Sequence, residues 1–99
     1  MENKDLSILL KKLKHYLPRL KEEYKILSLE IFGSYVKNRQ KEDSDLDILV
    51  TFYTVPSMFT YIRLENELSQ LLGVSVDLVM KDAMKPGIAK RVLDEVIPV

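Results

Sequence analysis

Ile31-Phe32-Gly33-Ser34-Tyr35 closes one apolar run, and Ser44-Asp45-Leu46-Asp47-Ile48-Leu49-Val50 opens the next. β-branched and large apolar residues dominate both, and Gly33 punctuates the end of the first. Lys41, Glu42 and Asp43 separate them as an exposed loop, so Ile26 to Phe32 and Asp45 to Phe52 read as two strands. Side chains alternate along a strand with a period of two, which puts Asp45 and Asp47 on one face. Two carboxylates held side by side raise each other's pKa unless a cation lies between them. Hard oxygen donors of this kind suit Mg²⁺ completed by water and substrate phosphates. The spacing points to a nucleotide–metal site.

Outward from these strands the chain alternates helix and strand. Leu6, Leu9, Leu10, Leu13, Tyr16 and Leu17 recur at helical spacing, with Lys11, Lys12 and Lys14 on the other side. Pro18 kinks that helix or starts a second one running to Tyr24. Tyr35 to Gln40 reads as a short helix or turn. Past Pro56, Tyr61, Leu64, Leu68, Leu71 and Leu72 form one helical stripe that Gly73 stops. Val74, Val76, Leu78 and Val79 make a third strand with Asp77 among them, and Ile88 to Ile97 reads as a closing helix behind Pro86-Gly87. The fold class is α/β, a small mixed β-sheet packed with helices.

Composition narrows the function classes. The 99 residues fit one domain spanning 1–99, and 46% hydrophobic with 30% charged residues describes a globular chain. Lys plus Arg and Asp plus Glu balance at 15 each, so the basic footprint that neutralises nucleic-acid phosphates is missing and no nucleic-acid partner is expected. With no cysteine, thiolate chemistry and Cys-type zinc sites are excluded. No secretory signal and no bilayer-length apolar run stand in the sequence, which gives no membrane and a cytoplasmic location as expectations.

Asp77 is the other acidic residue predicted inside a core strand, where an unpaired buried carboxylate costs several kcal/mol. If the second and third strands are neighbours, Asp45, Asp47 and Asp77 converge as ligands of a two-metal site, with ions roughly 3.5–4 Å apart. Gly33 allows a close backbone approach, and Ser34 with the amides of Tyr35 and Val36 forms a nest for phosphate. Lys37 and Arg39 on the next turn supply positive charge. Ser44 is the alternative centre for such a cradle.

At these residues the chain resembles the minimal nucleotidyltransferases of the DNA polymerase beta superfamily, in particular the MntA-like antitoxins paired with HEPN toxins. The resemblance rests on Ile31 to Tyr35, Ser44 to Val50 and Gly73 to Val79 together, and runs over nearly the whole chain. It implies the polymerase beta-like fold, two Mg²⁺ ions, ATP as substrate, and AMP transfer to a hydroxyl, with Tyr the expected acceptor on a HEPN-type toxin. By the resemblance Asp45 and Asp47 hold both ions, Asp77 holds the catalytic one and helps deprotonate the acceptor, and Ser34 binds the terminal phosphates. Where the family carries Arg then Gly, this chain has Lys37 and Asn38, which keeps the charge and loses the bidentate fork. Transfer to a small molecule such as an antibiotic hydroxyl shares every motif, and an antitoxin acting by binding alone is the non-enzyme alternative.

Blander explanations compete at single positions. An isolated Asp-x-Asp is more often an exposed strand edge, and Asp77 alone fits a strand-end cap. His15, with no second His, has no assigned role. Tyr53, Val55, Met58, Phe59, Tyr61 and Ile62 are either core or a partner surface. With the lysine-faced first helix, they give a hetero-oligomer with the toxin as the expected assembly.

Overall fold

The computed structural model describes residues 5–37, 39–41, 44–93 and 95–99, the side chains of 88, 91 and 93 excepted. Asn38 and the loop residues Glu42 and Asp43 lie outside that set.

Helix α1 spans Leu6–Tyr24. It starts at Asp5, whose carboxylate accepts from the Ser7 amide at 2.9 Å. Leu9, Leu13, Leu20 and Tyr24 form its buried stripe. Pro18 sits within the helix, which continues as one element to Tyr24 and does not give way to a second helix. A mid-helix proline costs about 3 kcal/mol. Burying Leu20 and Tyr24 beyond it returns about 1.5–3 kcal/mol for each large side chain, enough to carry the helix through. Lys25 ends it in the left-handed region, φ 58°.

Strand β1 (Ile26–Phe32) follows, then β2 (Leu46–Phe52), helix α2 (Met58–Leu72), strand β3 (Val76–Met80), a 3-10 turn at Lys81–Ala83, helix α3 (Pro86–Leu93) and strand β4 (Ile97–Pro98). Asp45 therefore precedes its strand by one residue, and the short helix or turn expected after Tyr35 is a turn. Ser57 caps α2 by accepting from the Thr60 amide, and Gly73 ends it at φ 72°. The third strand begins two residues later than the apolar run suggests. The sequence also reads Ile88 to Ile97 as one helix, but the chain leaves α3 after Leu93 and adds β4 to the sheet. β4 lies antiparallel to β1, with Ile97 opposite Ile31 and the Val99 amide donating to the Leu29 carbonyl at 3.0 Å. The free edge of β1 offers unpaired backbone groups, and a short strand containing Pro98 covers it.

The sheet order is β3-β2-β1-β4, with β2 and β3 parallel and the other pairs antiparallel. Leu46, Ile48 and Val50 share one face with Ile31, Val76 and Leu78, and pack against Leu9, Leu13, Leu20, Leu64, Leu68 and Leu72 of α1 and α2. The two helices are tied together by Tyr24, whose hydroxyl donates to Glu67, and by Arg19, which bridges Glu67 and Glu23 at 2.7 Å each. Alternation sends Asp47, Leu49, Asp77, Val79 and Glu30 to the opposite face. There Lys81 reaches across to Glu30 at 3.0 Å. Among the described residues no helix is long and apolar enough to cross a membrane.

Candidate active site

Backbone register brings the first two acidic residues together. Asp47 and Asp77 are Cα partners in the parallel β2–β3 pair, and Phe32 is the partner of Asp47 on the other side. Gly33 consequently sits against the Asp47 carboxylate: a Cβ on Gly33 would lie 2.1 Å from Asp47 Oδ2. Its φ of 84° is a second reason for glycine, since side chains rarely adopt that backbone. The sequence reading attributed Gly33 to close approach of phosphate, whereas in the folded chain the group it makes room for is a carboxylate.

Burial pushes the Asp47 carboxyl up to about 6, and the charges of Asp77 and then Asp45, together with a side-chain hydrogen bond to Asp77, add to the shift. Both neighbouring carboxylates therefore bear on Asp47, but their placement is unequal. Asp47 and Asp77 are set by register, while Asp45 is exposed just outside the strand. Among the described residues no three acidic, His or Cys side chains are gathered into one ion-sized cluster. Asp77 itself is exposed rather than buried, because β3 is an edge strand, so the argument from an expensive buried carboxylate does not apply to it. What singles it out is the partner it faces. The donor chemistry fits a hard divalent cation: acidic oxygens on neighbouring strands, one half-buried, with repulsion that a cation would relieve.

The turn after β1 is closed by the Gly33 carbonyl, which accepts from the amides of Val36 at 3.1 Å and Lys37 at 3.3 Å, while the Ser34 carbonyl accepts from Arg39 at 2.8 Å. The Val36 amide is therefore spent inside the turn and is not an open donor of the expected nest. Tyr35 is buried and anchors this turn to the core, a role the sequence reading missed. Lys37 is exposed and pairs with Glu95 at 3.3 Å, a contact between the turn and the segment following α3 that no local pattern announces. Ser44 belongs to the turn entering β2: its hydroxyl accepts from the Lys41 amide at 2.8 Å, and its amide donates to the Lys41 carbonyl at 3.1 Å. Glu30 and Lys81 share the carboxylate face and were not singled out either. Only the strand pairing puts them there.

A mixed sheet backed by helices, with paired carboxylates on its free face beside a glycine–serine turn, is the arrangement of a nucleotidyltransferase. The chain belongs to the nucleotidyltransferase domain family, which it matches over residues 13–99. It is 53% identical over 78 residues to the protein adenylyltransferase MntA of Thermococcus cleftensis, covering 79% of each chain. A minimal nucleotidyltransferase structure superposes with a TM-score of 0.77 at 33% identity, covering 91% of this chain and 92% of that one. The fold also recurs, at a TM-score of 0.67 and 20% identity, in a complex of tri-AMPylated HEPN toxin and MNT antitoxin from Shewanella oneidensis, covering 91% of this chain and 70% of that one.

Proposed function

We propose that this chain is an antitoxin enzyme that moves AMP from ATP to a hydroxyl, a tyrosine by expectation, of a cognate HEPN-type toxin and so neutralises it. The observation that carries the reading is the register pairing of Asp47 with Asp77 beside Gly33, in a chain 53% identical to a protein adenylyltransferase. Residues 1–99 then act as one domain, in the cytoplasm where ATP and the toxin are found.

Asp45, Asp47 and Asp77 would hold Mg²⁺. When bound, that ion supplies positive charge to the α-phosphate and the departing pyrophosphate. Ser34, the residue after Gly33 in the turn that follows β1, donates a hydrogen bond to the terminal phosphates, and Lys37 adds charge once released from Glu95. Ser44 shapes the turn that presents Asp45. The exposed Asp77 carboxylate faces the approaching toxin and accepts the proton of its hydroxyl. The hydroxyl oxygen bonds to the α-phosphorus, the bond to the bridging oxygen breaks, and pyrophosphate leaves with the electron pair. Little covalent work falls to the protein, and positioning plus charge provides most of the rate.

The test is incubation of the chain with α-labelled ATP, Mg²⁺ and a HEPN-type toxin that it binds. Label on the toxin, lost with Asp47→Asn and lost without Mg²⁺, is the expected result. Label on small-molecule acceptors alone, or neutralisation of the toxin with no label, would overturn the reading.

A further inference from the structure

Among the described residues, six large apolar side chains are exposed, and five of them fall within one ten-residue stretch. Tyr53 and Val55 lie in the loop after β2, and Met58, Phe59 and Ile62 lie in the first half of α2. Their exposures run from 45% at Ile62 to 87% at Phe59. Met58 and Ile62 are four apart and Phe59 and Ile62 three apart, so they share one helix face. The sequence left this stretch open between core and surface. Tyr61 settles half of it by turning inward, where its hydroxyl donates to the Leu78 carbonyl. The other side chains have no such partner.

Beside this patch is a shallow groove of about 170 Å³ lined by Phe52, Val55, Met80, Asp82, Ala83 and the end of β2. A cavity of about 150 Å³ has room for one benzene ring. One chain therefore carries both a projecting phenyl ring and an apolar groove of matching size, at the same end of the sheet. A two-fold interface needs that combination, because each copy must present both halves of the contact.

We propose that this patch is the interface of a homodimer, with Phe59 of each copy seated in the groove lined by Phe52, Val55 and Met80 of the other. Area supports a second copy. Covering the five side chains removes roughly 600 Å², most of the about 800 Å² that each partner contributes to a stable interface. Charge supports it as well. No charged residue stands between Asp47 and Arg63, so the projecting stretch itself adds no like charges to the contact, and Asp82 at the groove is the charged side chain it meets.

Position argues against the toxin as occupant. The patch begins at the carboxyl end of β2, six residues and about 20 Å from Asp47, and Phe59 and Ile62 belong to the helix layer, whereas Asp47 and Asp77 project from the other face. A toxin offering its hydroxyl to the carboxylates approaches the opposite end and the opposite face. A dimer formed through the patch leaves both catalytic ends open.

Sedimentation velocity of the intact chain from about 1 to 100 µM tests this. The wild type is expected to sediment as a dimer and to remain one in about 1 M NaCl, since an apolar contact is not screened. Phe59→Asp should raise the dimer dissociation constant at least about thirtyfold. Ala83→Trp, which plugs the groove from an exposed position without touching Phe59, should do the same. Both variants should keep the wild-type circular dichroism and thermal transition, and nucleotide turnover within about twofold of wild type. A wild type that is monomeric throughout this range overturns the proposal, as does a dimer that survives both substitutions. A monomeric wild type whose toxin binding is lost in Phe59→Asp overturns it in favour of the toxin as occupant.

Discussion

Replacing Asp47 by Asn should abolish transfer and at the same time stabilise the protein, by an amount that depends on pH in a definite direction. The Asp47 carboxyl is raised from its ordinary 3.8 to about 6, by burial first and then by Asp77 and Asp45. A group whose folded pKa lies above its unfolded value of about 3.9 favours folding only while protonated. That contribution is fully present below about pH 4 and is lost as pH rises through 6. Two units at about 1.36 kcal/mol each give roughly 3 kcal/mol as an upper limit. Partial access of water to the carboxylate reduces this to about 1–2 kcal/mol. Asn resembles the neutral acid, so the variant should unfold like wild type at pH 4 and be about 1–2 kcal/mol more stable at pH 7.5. For a chain of this size that gap is about 4–16 °C in Tm. Urea unfolding in EDTA at pH 4, 5, 6 and 7.5 measures it. Added Mg²⁺ should then stabilise wild type and leave the variant nearly unmoved. An Asn variant that is less stable at pH 7.5, or a gap of equal size at every pH, would refute the electrostatic account of this site.

Gly33→Ala should cost more than its single methyl suggests, because it meets Asp47 Oδ2 and must hold φ near 84°. A loss of about 1–2 kcal/mol from the backbone strain alone, with activity gone, is expected in chemical denaturation and turnover assays. Ser34→Ala should weaken triphosphate binding by roughly 10- to 100-fold, the worth of a hydrogen bond to a charged group, with stability unchanged; calorimetry with a non-hydrolysable ATP analogue reads it. Glu67, held below the usual carboxylate range first by its bond from Tyr24 and then by Arg19, gives the opposite pH dependence to Asp47. Its contribution is present above the unfolded pKa and lost as pH falls through the folded one, so Glu67→Gln should destabilise by about 0.5–1 kcal/mol near neutrality and by progressively less as the pH of urea unfolding is lowered into the acid range.

Much of the molecule is written in short-range patterns. The 3.6-residue stripes of Leu9, Leu13 and Leu20 and of Leu64, Leu68 and Leu72, and the alternation of β2, are periodicities of neighbouring residues, and they specify helices, strands and inward faces before any tertiary contact forms. The Asp-x-Asp spacing belongs to the same class. Glycine in a sharp turn after a strand is also legible, though not its cause, because the atom it makes room for is fourteen residues away. Cross-strand register, edge position and strand order depend on pairings between distant segments. They decided that Asp77 faces Asp47 while remaining exposed, that Glu30 and Lys81 share the carboxylate face, and that Glu95 meets Lys37. The same long-range terms overrode local propensity twice. Core packing of Leu20 and Tyr24 carried α1 through Pro18, and the open edge of β1 drew Ile97 out of a helical reading into strand pairing.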